Sequence, residues 1–416
     1  MTPYRILVVD DSAFMRKIIS DLIMRDSEFE VIGVAVNGLE AVEAVKQLKP
    51  DAVTLDLEMP VMNGIDALQQ IMKEYPIPII MLSGISEHNT QETIKALQHG
   101  AFDFIRKPTV GNLSQHITEV GELLLEKLKF AVTAKKTLLI DKITKPDNMD
   151  RIIPENKSKP HNRKVVMENK LKDTKKDDLS TINRSSSKID PRLAKADNAT
   201  KLAKEKIRQV STVVTHLPKK RLSDQTFEHI VVIGASTGGP RALHAVITEL
   251  PANFPAPILV VQHMPPRFTK SLAERLDHFS KIQVTEAVHN QVVEAGCCYV
   301  APGGQHMELI KEHNEFRIQL SQTPHRNGHR PSVDVLFESV VPFQQLKRHS
   351  VLLTGMGSDG ARGMKQLLDN GAVSSIAESE ETCIVFGMPR AAIELGAATT
   401  ITPLTNVAQY LQSVIM

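Results

Sequence analysis

Short runs of β-branched and aliphatic residues punctuate the start of the chain, separated by stretches in which apolar positions recur every three or four residues. The strand-like runs are Arg5–Val9, Glu30–Ala35, Ala52–Leu55, Ile79–Leu82 and Phe102–Ile105. Helix-like stretches such as Ala13–Met24 and Leu39–Leu48 lie between them. A last one carries Leu113, Ile117, Val120, Leu124 and Leu128 along one face. Continuous apolar strands alternating with helical periods predict a doubly wound α/β domain with a parallel sheet, drawn over residues 1–130.

The pattern then stops. Between Phe130 and Phe227 there is no aromatic residue, and Lys, Asp, Asn and Ser dominate. Such a segment cannot bury enough apolar surface to offset its ordering entropy. Residues 131–227 therefore read as a long, flexible, mostly disordered linker. Val132–Ile143 is expected to prolong the preceding helix, and Lys201–Val214 to form a transient one. The linker's positive charges are interleaved with acids, which favours a solvated spacer over a nucleic-acid or membrane contact.

Alternation returns over 228–416. Expected strands are Ile230–Ile233, Ile258–Gln262, Cys298–Ala301, Ser350–Thr354 and Thr382–Val385, with weaker signals at Val284–Ala287, Phe316–Leu320 and Thr399–Ile401. Helices are expected at Gly239–Glu249, Thr269–Phe279, Val333–Val340, Gly360–Asn370 and Pro389–Leu395. This is a second α/β domain with a largely parallel, Rossmann-like sheet.

At 416 residues and 42% hydrophobic, the chain can build two sizeable cores. A net charge of +2, no Trp and only 4% aromatics make a base-stacking surface a poor expectation. Three sparse cysteines, Cys297, Cys298 and Cys383, point to a reducing compartment without a disulfide framework. No signal-peptide pattern or bilayer-length apolar run is evident, so a cytoplasmic protein with no membrane insertion is expected.

In doubly wound sheets, ligands bind beyond the carboxyl ends of the strands. In the first domain Asp10, Asp11 and Asp56 fall there, with Ser83 and Lys107. Three carboxylates in one crevice suit a hard cation such as Mg²⁺. A carboxylate beside a metal can accept a phosphoryl group, with Lys107 and Ser83 on its oxygens. Any one of these aspartates alone would read as a helix cap.

In the second domain the strand ends carry Ser236, in Gly234-Ala235-Ser236-Thr237-Gly238-Gly239, then His263, and Asp359 in the glycine turn after Ser350–Leu353. A hydroxyl needs an imidazole to take its proton and a carboxylate to orient that imidazole. The competing readings are helix caps at Ser236 and Asp359, and a structural role for His263 among fifteen histidines. His289, His306, His313, His325, His329 and His349 are taken as structural. The glycines do not form a dinucleotide fingerprint, and no P-loop lysine follows them.

The segments VVDDS, LDLEMPVMNG, MLSG and FIRKP resemble a response-regulator receiver domain of flavodoxin-like fold. That resemblance implies Asp56 as phosphoacceptor and Asp10, Asp11, Asp56 and the Glu58 carbonyl as Mg²⁺ ligands. It also implies Ser83 and Lys107 as phosphate sensors, Phe104 as a reorienting aromatic, and a candidate cis bond at Lys107–Pro108. The segments IGASTGGPRAL, VVQHMPPRFTKSLAERL, YVAPGGQHMEL, RPSVDVLFES, LLTGMGSDGARGM and VFGMPRAA resemble the catalytic domain of chemotaxis protein-glutamate methylesterases. This resemblance implies Ser236 as nucleophile, His263 as general base, Asp359 as orienting acid, and backbone N–H groups of Met356 and Thr237 as oxyanion donors. It further implies hydrolysis of glutamate γ-methyl esters and deamidation of glutamines on chemoreceptors, with no cofactor for the ester chemistry. A chemotaxis histidine kinase would be the phosphodonor, and recruitment to receptor clusters at the inner membrane face would follow. A DNA-binding output is disfavoured, since no compact helix-turn-helix or basic recognition helix is present. A non-catalytic, phosphorylation-dependent binding module is the alternative if the three side chains do not assemble.

Overall fold

Five parallel strands form the first sheet: β1 (Tyr4–Val9), β2 (Phe29–Ala35), β3 (Ala52–Asp56), β4 (Ile79–Ser83) and β5 (Asp103–Arg106), in the order β2-β1-β3-β4-β5. The structure, a computed structural model, describes residues 2–84, 86–107, 113–144 and 226–416, and within 113–144 the side chains of 117–133. Every residue of β3 and β4 is buried, as expected for strands covered on both faces. The helices are α1 (Ala13–Ile23), α2 (Gly38–Leu48), α3 (Gly64–Glu74), α4 (Glu87–Gln98) and α5 (Leu113–Thr144). Ser12, Asn37, Asn63 and Ser86 precede the first four, and each side-chain oxygen accepts a backbone N–H from the first turn.

Helix α5 runs through residue 130 and along the stretch expected to prolong it. Leu124, Leu128, Ala131 and Val132 are buried on its inner face. Ile117 and Val120 are half-buried, and the Leu113 side chain lies outside the described residues. The disordered-linker reading over 145–225, the transient helix at Lys201–Val214 and the Lys107–Pro108 bond also lie outside the described residues.

The second sheet has seven parallel strands: β6 (His229–Ala235), β7 (Ile258–Gln262), β8 (Gln283–Glu286), β9 (Cys297–Val300), β12 (Lys347–Leu352), β13 (Ser374–Glu378) and β14 (Thr400–Thr402). Their order is β14-β13-β12-β6-β7-β9-β8. An antiparallel hairpin, β10 (His306–Glu312) and β11 (Glu315–Ser321), stands apart from it. The helices are α6 (Gly239–Ile247), α7 (Phe268–Phe279), α8 (Val333–Val340), α9 (Ala361–Asp369), α10 (Met388–Glu394) and α11 (Leu404–Ile415). Strand order reverses at β6, which lies between β7 and β12, and that is where such folds open a crevice.

Two expectations are corrected. Thr382–Val385 is not a strand; the strand is β13, whose serines disguise it. Ser375 Oγ accepts from Ser350 Oγ at 3.0 Å on the neighbouring strand, which makes a polar residue tolerable there. The apolar character of Ile384 and Val385 has another cause: both pack, with Met356, on an apolar cluster of the first domain. Phe316–Leu320 is extended, but in the separate hairpin rather than the main sheet.

Arg348, on β12, is the largest fully buried side chain, and no carboxylate pairs with it among the described residues. Its Nη1 donates to Val341 O at 2.8 Å and its Nη2 to Asn370 O at 2.6 Å. Those residues are the C-caps of α8 and α9, so the guanidinium neutralises the negative ends of two helices. Replacing Arg348 with Met should destabilise the domain by about 2–4 kcal/mol, because two buried carbonyls lose charge-assisted donors. Chemical denaturation checks this, and an unchanged midpoint would remove the capping role.

Candidate active site and phosphoacceptor site

Register places Ala235 of β6 opposite Gln262 of β7, so Ser236 and His263 leave adjacent strands side by side. His263 N donates to Ala235 O at 3.0 Å, and Gln262 Nε2 donates to Ser236 O at 2.8 Å. Ser236 does not cap α6; the N-cap is Gly238, in the left-handed region at φ 80°, with no side-chain bond. The serine side chain is thereby released from a capping role. Its own N–H donates to Thr354 O at 3.0 Å, which ties it to the end of β12. A Cβ at Gly355 would lie 2.8 Å from that of Ser236, so glycine is needed for the approach.

His263 Nε2 and Asp359 Oδ2 are 2.9 Å apart. His263 Nδ1 is buried and makes no hydrogen bond, so it is not bonded to the Ser236 hydroxyl on the adjoining strand end. Asp359 does not cap the helix that follows it. Instead Val333 N donates to Oδ2 at 2.7 Å, while Ser332 Oγ, Asn327 Nδ2 and Asp334 N donate to Oδ1. Burial opposes the charged form of Asp359. The His263 hydrogen bond, the charge it shares with that ring, and the Val333 and Asn327 donors outweigh this and hold the carboxyl below its usual range.

Two residues of the site escaped the sequence reading. Asn327 bridges Asp359 Oδ1 and Asp334 Oδ2, at 3.0 and 2.9 Å. His329, assigned there to the structural class, stacks on His263 with centroids 3.8 Å apart and planes 9° apart. Burial first, and the neighbouring His263 second, push the His329 pKa down to about 4. The legible signal was the Asn-Gly pair. Asn327 and Gly328, at φ 54° and 80°, form a two-residue turn closed by Arg326 and His329 exchanging backbone hydrogen bonds.

Among the described residues, the backbone N–H groups of Thr237 and Met356 find no protein acceptor. The Thr237 hydroxyl donates to Asp103 Oδ2 of β5 at 2.6 Å, and Lys127 of α5 pairs with the same oxygen. The first domain therefore abuts this strand-end face. Phe104 stacks on Phe268, centroids 4.6 Å apart, Thr90 meets Ser271 at 2.7 Å, and Arg275 Nε donates to Gln98 at 2.9 Å.

In the first domain Asp10, Asp11 and Asp56 each offer a carboxylate oxygen within 4.8 Å of the others. Lys107 Nζ reaches both Asp10 and Asp56 at 2.7 Å. Burial raises the Asp56 pKa to about 6, against the lowering effect of Lys107. Three hard oxygen donors facing one ammonium leave an excess of negative charge that fits a dication such as Mg²⁺. The buried Ser83 hydroxyl accepts from Thr93 at 2.6 Å, while Glu58 and Asp11 line a cleft of about 570 Å³ beside the carboxylates. Phe104 is buried against the second domain rather than turned to solvent.

Comparison with known proteins agrees with both halves. A family described as "CheB methylesterase" matches residues 231–411, and "Response regulator receiver domain" matches residues 6–118. The protein-glutamate methylesterase/protein-glutamine glutaminase of Geobacillus kaustophilus strain HTA426 is 38% identical, over 98% of this chain and 97% of that one. The protein of the same name from Bacillus subtilis strain 168 is 39% identical, over 98% of each. Among solved structures, the Thermotoga maritima CheB methylesterase catalytic domain is 44% identical, covering 46% of this chain and all of that one, with a TM-score of 0.45. No helix among the described residues is long and apolar enough to cross a membrane. Likeness to these full-length relatives spans both domains, and the chain belongs to the protein-glutamate methylesterase/protein-glutamine glutaminase family.

Proposed function

We propose that this chain hydrolyses γ-methyl esters of glutamate on chemoreceptors, deamidates receptor glutamines by the same route, and is regulated by phosphorylation at Asp56. The observation that carries the reading is the His263 Nε2–Asp359 Oδ2 bond, beside Ser236 on the adjoining strand end. A carboxylate at Nε2 fixes the proton there and leaves Nδ1 as the basic nitrogen. Ser236 Oγ attacks the γ-carbonyl carbon as its proton passes to His263 Nδ1. The oxyanion is held by the N–H groups of Thr237 and Met356. Collapse returns the proton to the leaving methoxide, releasing methanol, or to the leaving amide nitrogen, releasing ammonia. Water then attacks the acyl-serine as His263 takes a proton from it, and collapse passes that proton to Ser236 Oγ and frees glutamate.

Mg²⁺ bound at Asp10, Asp11, Asp56 and the Glu58 carbonyl would supply charge neutralisation for the transferred phosphoryl group. Lys107 and Ser83 contact phosphoryl oxygens, and a chemotaxis histidine kinase is the donor. The domains are read as 1–130, linker 131–227 and 228–416. The substrate places the enzyme at the cytoplasmic part of receptors, within receptor clusters. In the unphosphorylated chain the first domain limits access to Ser236. Phosphorylation turns Phe104, loosens its contact with Phe268 and shifts the population toward the open state.

Ser236→Ala should abolish methanol release from methylated receptor membranes, and Asp359→Asn should lower kcat by about 10³–10⁴-fold by fixing the wrong tautomer of His263. Retained turnover in Ser236→Ala would dismiss the nucleophile. Ser271→Arg places a bulky cation in the buried contact with Thr90. It should raise turnover of the unphosphorylated chain severalfold and blunt the response to acetyl phosphate. Unchanged regulation would remove the blocking role.

A further inference from the structure

Glu378 ends β13 and is fully buried, and no lysine, arginine or histidine pairs with it among the described residues. An unpaired carboxyl so placed is costly to bury, and its pKa is accordingly pushed up. The groups it faces are donors. Thr354 N donates to Oε2 at 2.8 Å, and Thr382 Oγ1 donates to Oε1 at 3.0 Å while itself accepting from Leu404 N.

Thr354 in turn holds the turn that carries Ser236. Its carbonyl accepts the Ser236 N–H at 3.0 Å, and its hydroxyl donates to Thr237 O at 2.9 Å. The same hydroxyl accepts from Val385 N at 2.9 Å. These bonds flank the peptide between Ser236 and Thr237. That peptide carries both the Ser236 side chain and the Thr237 N–H, so fixing its two ends fixes the direction of each. Glu378 fixes Thr354 from behind.

Resting on the esterase reading above, we propose that Glu378 and Thr354 are positioning residues for acyl transfer, together setting the angle between the Ser236 hydroxyl and the Thr237 N–H. Neither side chain touches the substrate. Their loss therefore falls on kcat and leaves KM nearly unchanged, because an ester docked on the outer surface meets the same groups.

The test uses the full chain treated with acetyl phosphate, assayed for methanol release from membranes carrying a methyl-esterified chemoreceptor. Thr354→Val keeps the volume and removes the hydroxyl, and should lower kcat at least about tenfold, since small misplacements of reacting groups are that costly. Thr354→Ser should recover most of the loss. Glu378→Ala should lower kcat similarly, with Glu378→Gln between it and wild type because one acceptor oxygen remains. Wild-type kcat in Thr354→Val, or a loss confined to KM, would overturn the inference while leaving the esterase intact. No methanol from the wild-type chain would overturn the esterase reading and this inference with it. Should Glu378→Ala fail to fold, Glu378→Gln decides for Glu378, where wild-type kcat would overturn its part, and the Val and Ser variants decide for Thr354.

Discussion

Two helices exchange their caps, and the chemistry of the second domain hangs on that exchange. Asp359 stands just before α9 but gives its carboxylate to the N-terminus of α8, at Val333 and Asp334. Asp334, inside α8, returns the favour by accepting the N–H groups of Gly360 and Gly363 at the start of α9. Each carboxylate thus sits where a helix dipole is positive. Asp359 remains charged although only 2% exposed, and its one direction not taken by this scaffold is filled by His263. Orientation of the imidazole is therefore inherited from the packing of two helices rather than from the flexible reach of a side chain.

The same economy appears at the domain contact. Thr237 lies next to Ser236 in sequence, yet its hydroxyl is committed to Asp103 of the other domain. Asp103 is followed by Phe104 on β5, and that strand leads directly to Lys107, which pairs with Asp56. One short strand therefore touches both sites. A change at its carboxyl end has only a few residues to travel before it meets the catalytic face.

Much of this was legible in the residues. Ser236 after a β-branched run, His263 before two prolines, and Asp359 in a glycine turn all announced strand ends, and strand ends are where parallel sheets place their ligands. The aspartates and Lys107 of the first domain did the same. What escaped depends on partners distant in sequence. Ser374 and Ser375 look like loop residues until the His349 ring and the Ser350 hydroxyl of the next strand are counted. Ile384 and Val385 look like strand residues because their apolar partners belong to the other domain. Asn327 and His329 reach the site through a tight turn whose pattern was visible, but whose destination was set by long-range packing.

The ring stack of Phe104 on Phe268 has a thermodynamic corollary. Contact free energy between two domains is reciprocal. To the extent that the stack hinders the hydrolase, the hydrolase must by the same amount hold the receiver in its unmodified shape. The output domain is then also a brake on its own input, and whatever draws the receiver off the strand-end face relieves both halves by the same amount.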